Sequence, residues 1–81
     1  MTDESTQLYD LEKFSESLVE KTLTEVALSL KEKGYDPINQ LTGYLMSGDP
    51  GYISSYQSAR TKITSIDRSK IIEVLLRKGI F

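Results

Sequence analysis

The chain has 81 residues with no Cys and no His, which excludes disulfide crosslinks and the soft ligands of a structural zinc site. A core this small supplies only about 3–5 kcal/mol, so a partner chain is the supplement left to it. Net charge is −2, which argues against a nucleic-acid protein, and no apolar run exceeds three residues, so neither a transmembrane helix nor a signal h-region is expected.

Residues 1–13 lack helical periodicity and are expected to form a mobile, disordered N-terminal tail, leaving 14–81 as the helical domain. The first helix is expected to start near Ser15 or Ser17. Ser17 and Glu20 fit a capping box, and Phe14 with Val19 fits a hydrophobic staple. Val19, Leu23, Val26, Ala27 and Leu30 then fall on one apolar stripe. Gly34 is placed to end the helix in a Schellman turn.

Two Asp-Pro pairs punctuate the next stretch. Asp36 caps a second helix with Pro37 at its first position, and Ile38, Leu41, Tyr44 and Leu45 form its expected inner face. Gly43 sits in the helix interior at a cost of about 1 kcal/mol, which a close backbone approach by another element would explain. Gly48 closes this helix. Asp49-Pro50 repeats the cap, but Gly51 at the following position limits it to a short turn.

A third long helix is expected from Ser54 or Ser55, with Tyr56, Ala59, Ile63 and Ile66 inward. Asp67 reads as a further N-cap, followed by Ile71, Ile72, Leu75 and Leu76 facing in and Gly79 at the end. The pattern leaves open whether residues 55–78 are one kinked helix or two. Strand periodicity is absent, so the fold class is all-α, a compact bundle of four to five short helices.

Chemistry of the catalytic kind has little footing. No His is present for general acid–base work, and Ser47, Ser54 and Ser55 lack a base or an elbow motif. No cofactor and no metal are expected. Residues 47–51 contain glycine before a helix but lack the phosphate-loop spacing, and Asp49 would repel phosphate. A helix-turn-helix reading remains the alternative, offering Ser55, Gln57, Ser58, Arg60 and Lys62 to a DNA groove. Against it stands the charge distribution. Residues 1–25 carry a net −5 and residues 54–81 a net +4, the latter from Arg60, Lys62, Arg68, Lys70, Arg77 and Lys78 against Asp67 and Glu73. Such a split can steer a partner or draw the two halves together.

Tyr35, Tyr44, Tyr52 and Tyr56 cluster around the two turns, and Tyr suits a half-wet contact. Together with Asn39, Gln40 and Gly43 they make a candidate dimer or partner surface. Thr2, Ser5 and Thr6 sit among acidic residues where a kinase could reach them. The basic face of Arg60, Lys62, Arg68 and Lys70 is the natural receptor for a phosphate.

The stretch from Lys33 to Leu41, then Gly43 to Ile53, closely resembles the IreB/ReoM family of small Firmicutes proteins. Ala59-Arg60 and Asp67-Arg68 extend the likeness, which covers roughly residues 18–76. The resemblance implies a cytoplasmic, non-enzymatic homodimer downstream of a membrane Ser/Thr kinase with PASTA domains. It further implies regulatory or protease-adaptor partners and control of Clp-dependent breakdown of the enzyme that commits UDP-N-acetylglucosamine to peptidoglycan. Cell-envelope stress and cephalosporin tolerance are the implied outputs. The family's kinase acts on threonine in an N-terminal Thr-Asp-Glu-Thr-like segment. Here Thr2-Asp3-Glu4-Ser5-Thr6 carries one inserted residue, and alignment on Tyr9-Asp10 places Thr6 at the principal phosphorylation site, with Thr2 displaced from the second. Ser54 stands where the family commonly has proline, and the C-terminal tail is short.

Overall fold

The computed structural model describes the backbone of residues 4–81, and side chains from Leu11 onward. Among the described residues every regular element is helical: α1 (Glu4–Glu32), α2 (Pro37–Ser47), α3 (Ala59–Thr64) and α4 (Arg68–Gly79). Two 3-10 turns, Pro50–Tyr52 and Tyr56–Ser58, fill the space between α2 and α3. None of these helices is long and apolar enough to cross a membrane.

The first helix begins at Glu4, not near Ser15 or Ser17, so the stretch expected as a tail is helical from that residue on. No Gly or Pro precedes Gly34, and the segment is rich in Glu, Leu and Lys, so nothing stops the helix once it has formed. Its 29 residues span about 43 Å, most of the 50 Å long axis of the molecule. The capping candidates Ser15 and Ser17 are therefore interior positions. The C-terminal end is as expected. Gly34 takes φ 96°, its N–H donates to the Lys31 carbonyl (3.0 Å), and the Tyr35 N–H donates to the Leu30 carbonyl (2.9 Å), which is the Schellman pairing.

One core holds the helices together. Val19, Val26 and Leu30 of α1 meet Tyr44 of α2, Ile53 from the connecting segment, Ala59 and Ile63 of α3, and Ile71 and Val74 of α4. Leu23, Leu41, Leu45 and Ile66 pack half-buried around them. Two expected inner faces need correction. Ile38 is 72% exposed, because the first turn of α2 lies at the rim of the bundle. On α4, Ile71 and Val74 do the burying, while Ile72, Leu75 and Leu76 remain 40–47% exposed. The last helix touches the core along a single narrow edge, so only positions three apart reach it.

The open question over residues 55–78 resolves as two helices, α3 and α4, with Ser65–Asp67 between them. Asp67 occupies the N-cap position, although its side chain makes no capping hydrogen bond. Upstream, the helix expected from Ser54 or Ser55 is broken. Gln57 (φ 52°, ψ 33°) and Ser58 (φ 61°, ψ 23°) are both left-handed, a conformation that costs about 1–3 kcal/mol for each non-glycine residue. The reason lies in the core. Ile53 and Ala59 are both fully buried, and six residues of straight helix rotate about 600°, which would leave the two roughly 120° apart. The left-handed pair turns the chain so that both face inward.

The uneven charge also finds its use within the fold. Lys62 pairs with Glu25 (3.4 Å), Arg77 with Glu16 (3.5 Å) and Lys78 with Glu20 (3.5 Å), joining the basic C-terminal half to the acidic first helix. Each keeps its cation in solvent and is worth about 0–1 kcal/mol.

Candidate protein-contact surface

The surface around α2 is built by its two flanking caps. Asp36 accepts hydrogen bonds from the backbone N–H groups of Ile38 (2.9 Å) and Asn39 (3.4 Å), and Gly48 closes the helix at φ 75°, its N–H donating to the Tyr44 carbonyl at 2.7 Å. The chain then turns at Asp49, whose carboxylate accepts from the Gly51 N–H at 2.8 Å. That turn folds Tyr52 back over α2. Its ring lies against Gly43 so closely that a Cβ at that position would overlap it. The Gln40 amide donates to the Tyr52 carbonyl at 2.9 Å and pins the arrangement. The close approach inferred from Gly43 is thus made by this chain's own Tyr52.

The expected surface residues divide. Gln40, Gly43 and Tyr52 meet directly, with Tyr52 still 42% exposed, and Asn39 is exposed on the same helix. Tyr35 is 47% exposed beyond the Gly34 turn, whereas Tyr44 is a core residue at 5% and contributes nothing to a contact surface. The 3.6-residue period of α2 turns Tyr44 inward with Leu41 and Leu45 beside it. Tyr56 bridges back to the end of α1. Its hydroxyl donates to Glu32 at 3.0 Å, and the Lys33 ammonium sits 5.2 Å from its ring centroid. The hydrogen bond to Glu32, with some desolvation and the nearby negative charge, holds the Tyr56 phenol protonated above its ordinary range.

The expected basic face is largely committed to the fold. Arg60 Nε donates to the Pro50 (3.1 Å) and Ile53 (2.8 Å) carbonyls. Arg68 donates to the Leu45 carbonyl at 3.1 Å, with its guanidinium lying against Gly48, and Lys62 faces Glu25. Lys70 borders a shallow cleft with Ser15, Thr22 and Asp67. Here the helix-turn-helix reading loses its support. The intended recognition helix is only six residues long, Ser55, Gln57 and Ser58 precede it, and both of its cations have partners inside the molecule.

Two features escaped the sequence reading. An apolar groove of about 320 Å³ runs between α1, α2 and α4, lined by Leu23, Ala27, Ile38, Leu41, Leu45 and Leu75. By spacing all six belong to inward faces, and only their excess over the space in the core could have signalled it. The other is Ser29, the one buried polar residue among those described, which donates to the Gln57 side-chain carbonyl at 2.7 Å. A serine set inside the Val26–Leu30 stripe was the available hint.

Of the expected phosphorylation sites, Thr2 lies outside the described residues, and Thr6 is placed only as a backbone position in the first turn of α1. Among the described residues no cluster of three or more His, Cys, Asp or Glu is arranged to hold a metal ion. The surface is instead one of exposed tyrosine, amide and aliphatic groups on a braced backbone, beside a helix whose first turn carries a threonine. Residues 4–80 match the family model described as IreB regulatory phosphoprotein, and the chain belongs to that family of regulatory phosphoproteins.

Proposed function

We propose that this protein is a non-enzymatic cytosolic regulator that acts by protein–protein contact and carries its phosphorylation site at Thr6. A membrane Ser/Thr kinase of the PASTA type supplies the phosphate. A homodimer of the chain engages a regulatory or protease-adaptor protein. Through that partner it governs Clp-dependent turnover of the first committed enzyme of peptidoglycan synthesis, and with it cephalosporin tolerance in Firmicutes. The observation that carries this reading is the family match, which runs from residue 4 and so includes Thr6. The exposed groove beside Ile38 and the half-exposed Tyr52 supply the kind of surface such contacts use.

The helix constrains how the phosphate acts. Thr6 lies 19 positions ahead of Glu25, the partner of Lys62, which is about 28 Å along α1. A phosphate at Thr6 therefore does not reach Arg60 or Lys62 while α1 stays helical, which removes an internal charge clamp on those residues. Two routes remain. A phosphate in the first turn adds about −1.5 to −2 charge at the positive end of the helix dipole, strengthening that end of α1. It also presents that charge directly to the partner.

The test is a kinase reaction followed by phosphosite mapping, paired with pull-downs of wild type and Thr6→Ala. Phosphate on Thr6 and a changed set of captured partners are expected. Labelling confined to residues beyond 13 would sink the switch, and a concentration-independent 9.2 kDa species in sedimentation would sink the dimer.

A further inference from the structure

We propose that Asp49–Ser58 is a two-position strap over α2, hinged at Gln57–Ser58 and latched by Ser29. Three observations converge on it. Both hinge residues are held left-handed although neither is glycine. Local sequence pattern favours a right-handed helix through the same residues, so local preference and tertiary packing conflict at this point. The buried polar side chain of Ser29 spends its hydroxyl on the hinge residue Gln57.

In the closed position Ile53 is fully buried, Tyr52 covers Gly43, and Arg60 holds the Pro50 and Ile53 carbonyls. In the open position Gln57 and Ser58 fall back to right-handed geometry and α3 extends toward Ser55. That motion withdraws Ile53 from the core and lifts Tyr52 off α2. The burial of Ile53 and the strain of the hinge oppose one another, which is what a two-position element requires. Opening bares the Gly43 backbone beside Gln40, where an apolar side chain of a partner protein takes the place of Tyr52. This consequence rests on the partner-contact reading; the strap itself does not.

Amide hydrogen exchange on the full chain tests the strap. Ser58→Gly keeps the latch and removes one left-handed penalty, so exchange across residues 52–60 slows about 5-fold. Ser29→Ala removes the latch and quickens the same amides about 5-fold, with α1 amides unchanged. The paired change Gln57→Ala with Ser58→Ala moves the Gly43 α-proton resonances toward ordinary helical glycine values as the ring current of Tyr52 is lost, while Val26 and Ile63 methyl signals persist. Unaltered exchange in Ser58→Gly overturns the strap. So does Ser29→Ala quickening α1 and the strap alike, because the segment then opens only with the whole domain. A failed pull-down leaves the strap standing, and a failed exchange test leaves the partner reading standing.

Discussion

The segment after Asp36-Pro37 becomes an 11-residue helix, whereas the segment after Asp49-Pro50 stops after a single 3-10 turn. Their beginnings are nearly superimposable. Asp36 sits at φ −82°, ψ 111° and Asp49 at φ −82°, ψ 112°, and each carboxylate accepts a backbone N–H two residues on. The difference lies in the residues after each proline. Ile38 comes directly after the first and can face solvent while α2 continues. Gly51 succeeds the second, and three residues after Pro50 the chain must deliver Ile53 to the core. The same start signal yields a helix or a strap according to where the next large apolar residue has to go.

The sharpest way to break that comparison is to remove each isoleucine. Ile53→Ala should cost about 3–4 kcal/mol, read by denaturant unfolding, while Ile38→Ala should stay within about 0.5 kcal/mol. Comparable losses at the two sites would mean that the strap is not anchored through Ile53. Next in size is Gly43→Ala, expected to destabilise by about 2 kcal/mol because its Cβ meets the Tyr52 ring. In a Tyr52→Ala background the same change should cost much less, a coupling that a double-mutant cycle measures directly. Additive effects would place the strain elsewhere.

The caps themselves come third. Asp36→Ala should cost about 1 kcal/mol, since two N–H groups of a full helix lose their acceptor. Asp49→Ala should cost roughly half of that, one N–H being released in a single turn. Smallest is a pH effect on the brace at the far end of the strap. The Tyr56 phenol is held protonated above its ordinary range, chiefly by its bond to Glu32, so its contribution is complete below the ordinary phenol pKa. That contribution is lost as pH rises through the elevated value. Tyr56→Phe should show less alkaline destabilisation than wild type in pH-dependent thermal unfolding, and identical alkaline profiles would show that the bond contributes nothing.

Much of this architecture is legible residue by residue. Gly34 and Gly48 mark helix ends because their positions demand left-handed geometry that other residues resist. Asp36 and Asp49 mark starts because a short carboxylate reaches the free N–H groups two and three positions on. The stripe of Val19, Val26 and Leu30 is buried as its spacing implied. The candidate surface was half legible. Gly43 announced a close approach without naming Tyr52 as the visitor, and the tyrosine cluster did not reveal that Tyr44 belongs to the core.

The sequence by itself determined that the chain is helical, where three of its helices stop, and that Gly43 must be approached closely, because those are consequences of local backbone sterics and caps. Only the tertiary structure decided which half of each apolar face is used and that Gln57 and Ser58 turn left-handed. Those outcomes depend on how much core exists to cover each face. A chain this small has more aliphatic side chains than its interior can hold, so Ile38, Ile72 and Leu75 are left outside by competition, not by any property of their own neighbourhoods. The same competition, won by Ile53 and Ala59, bends the strap.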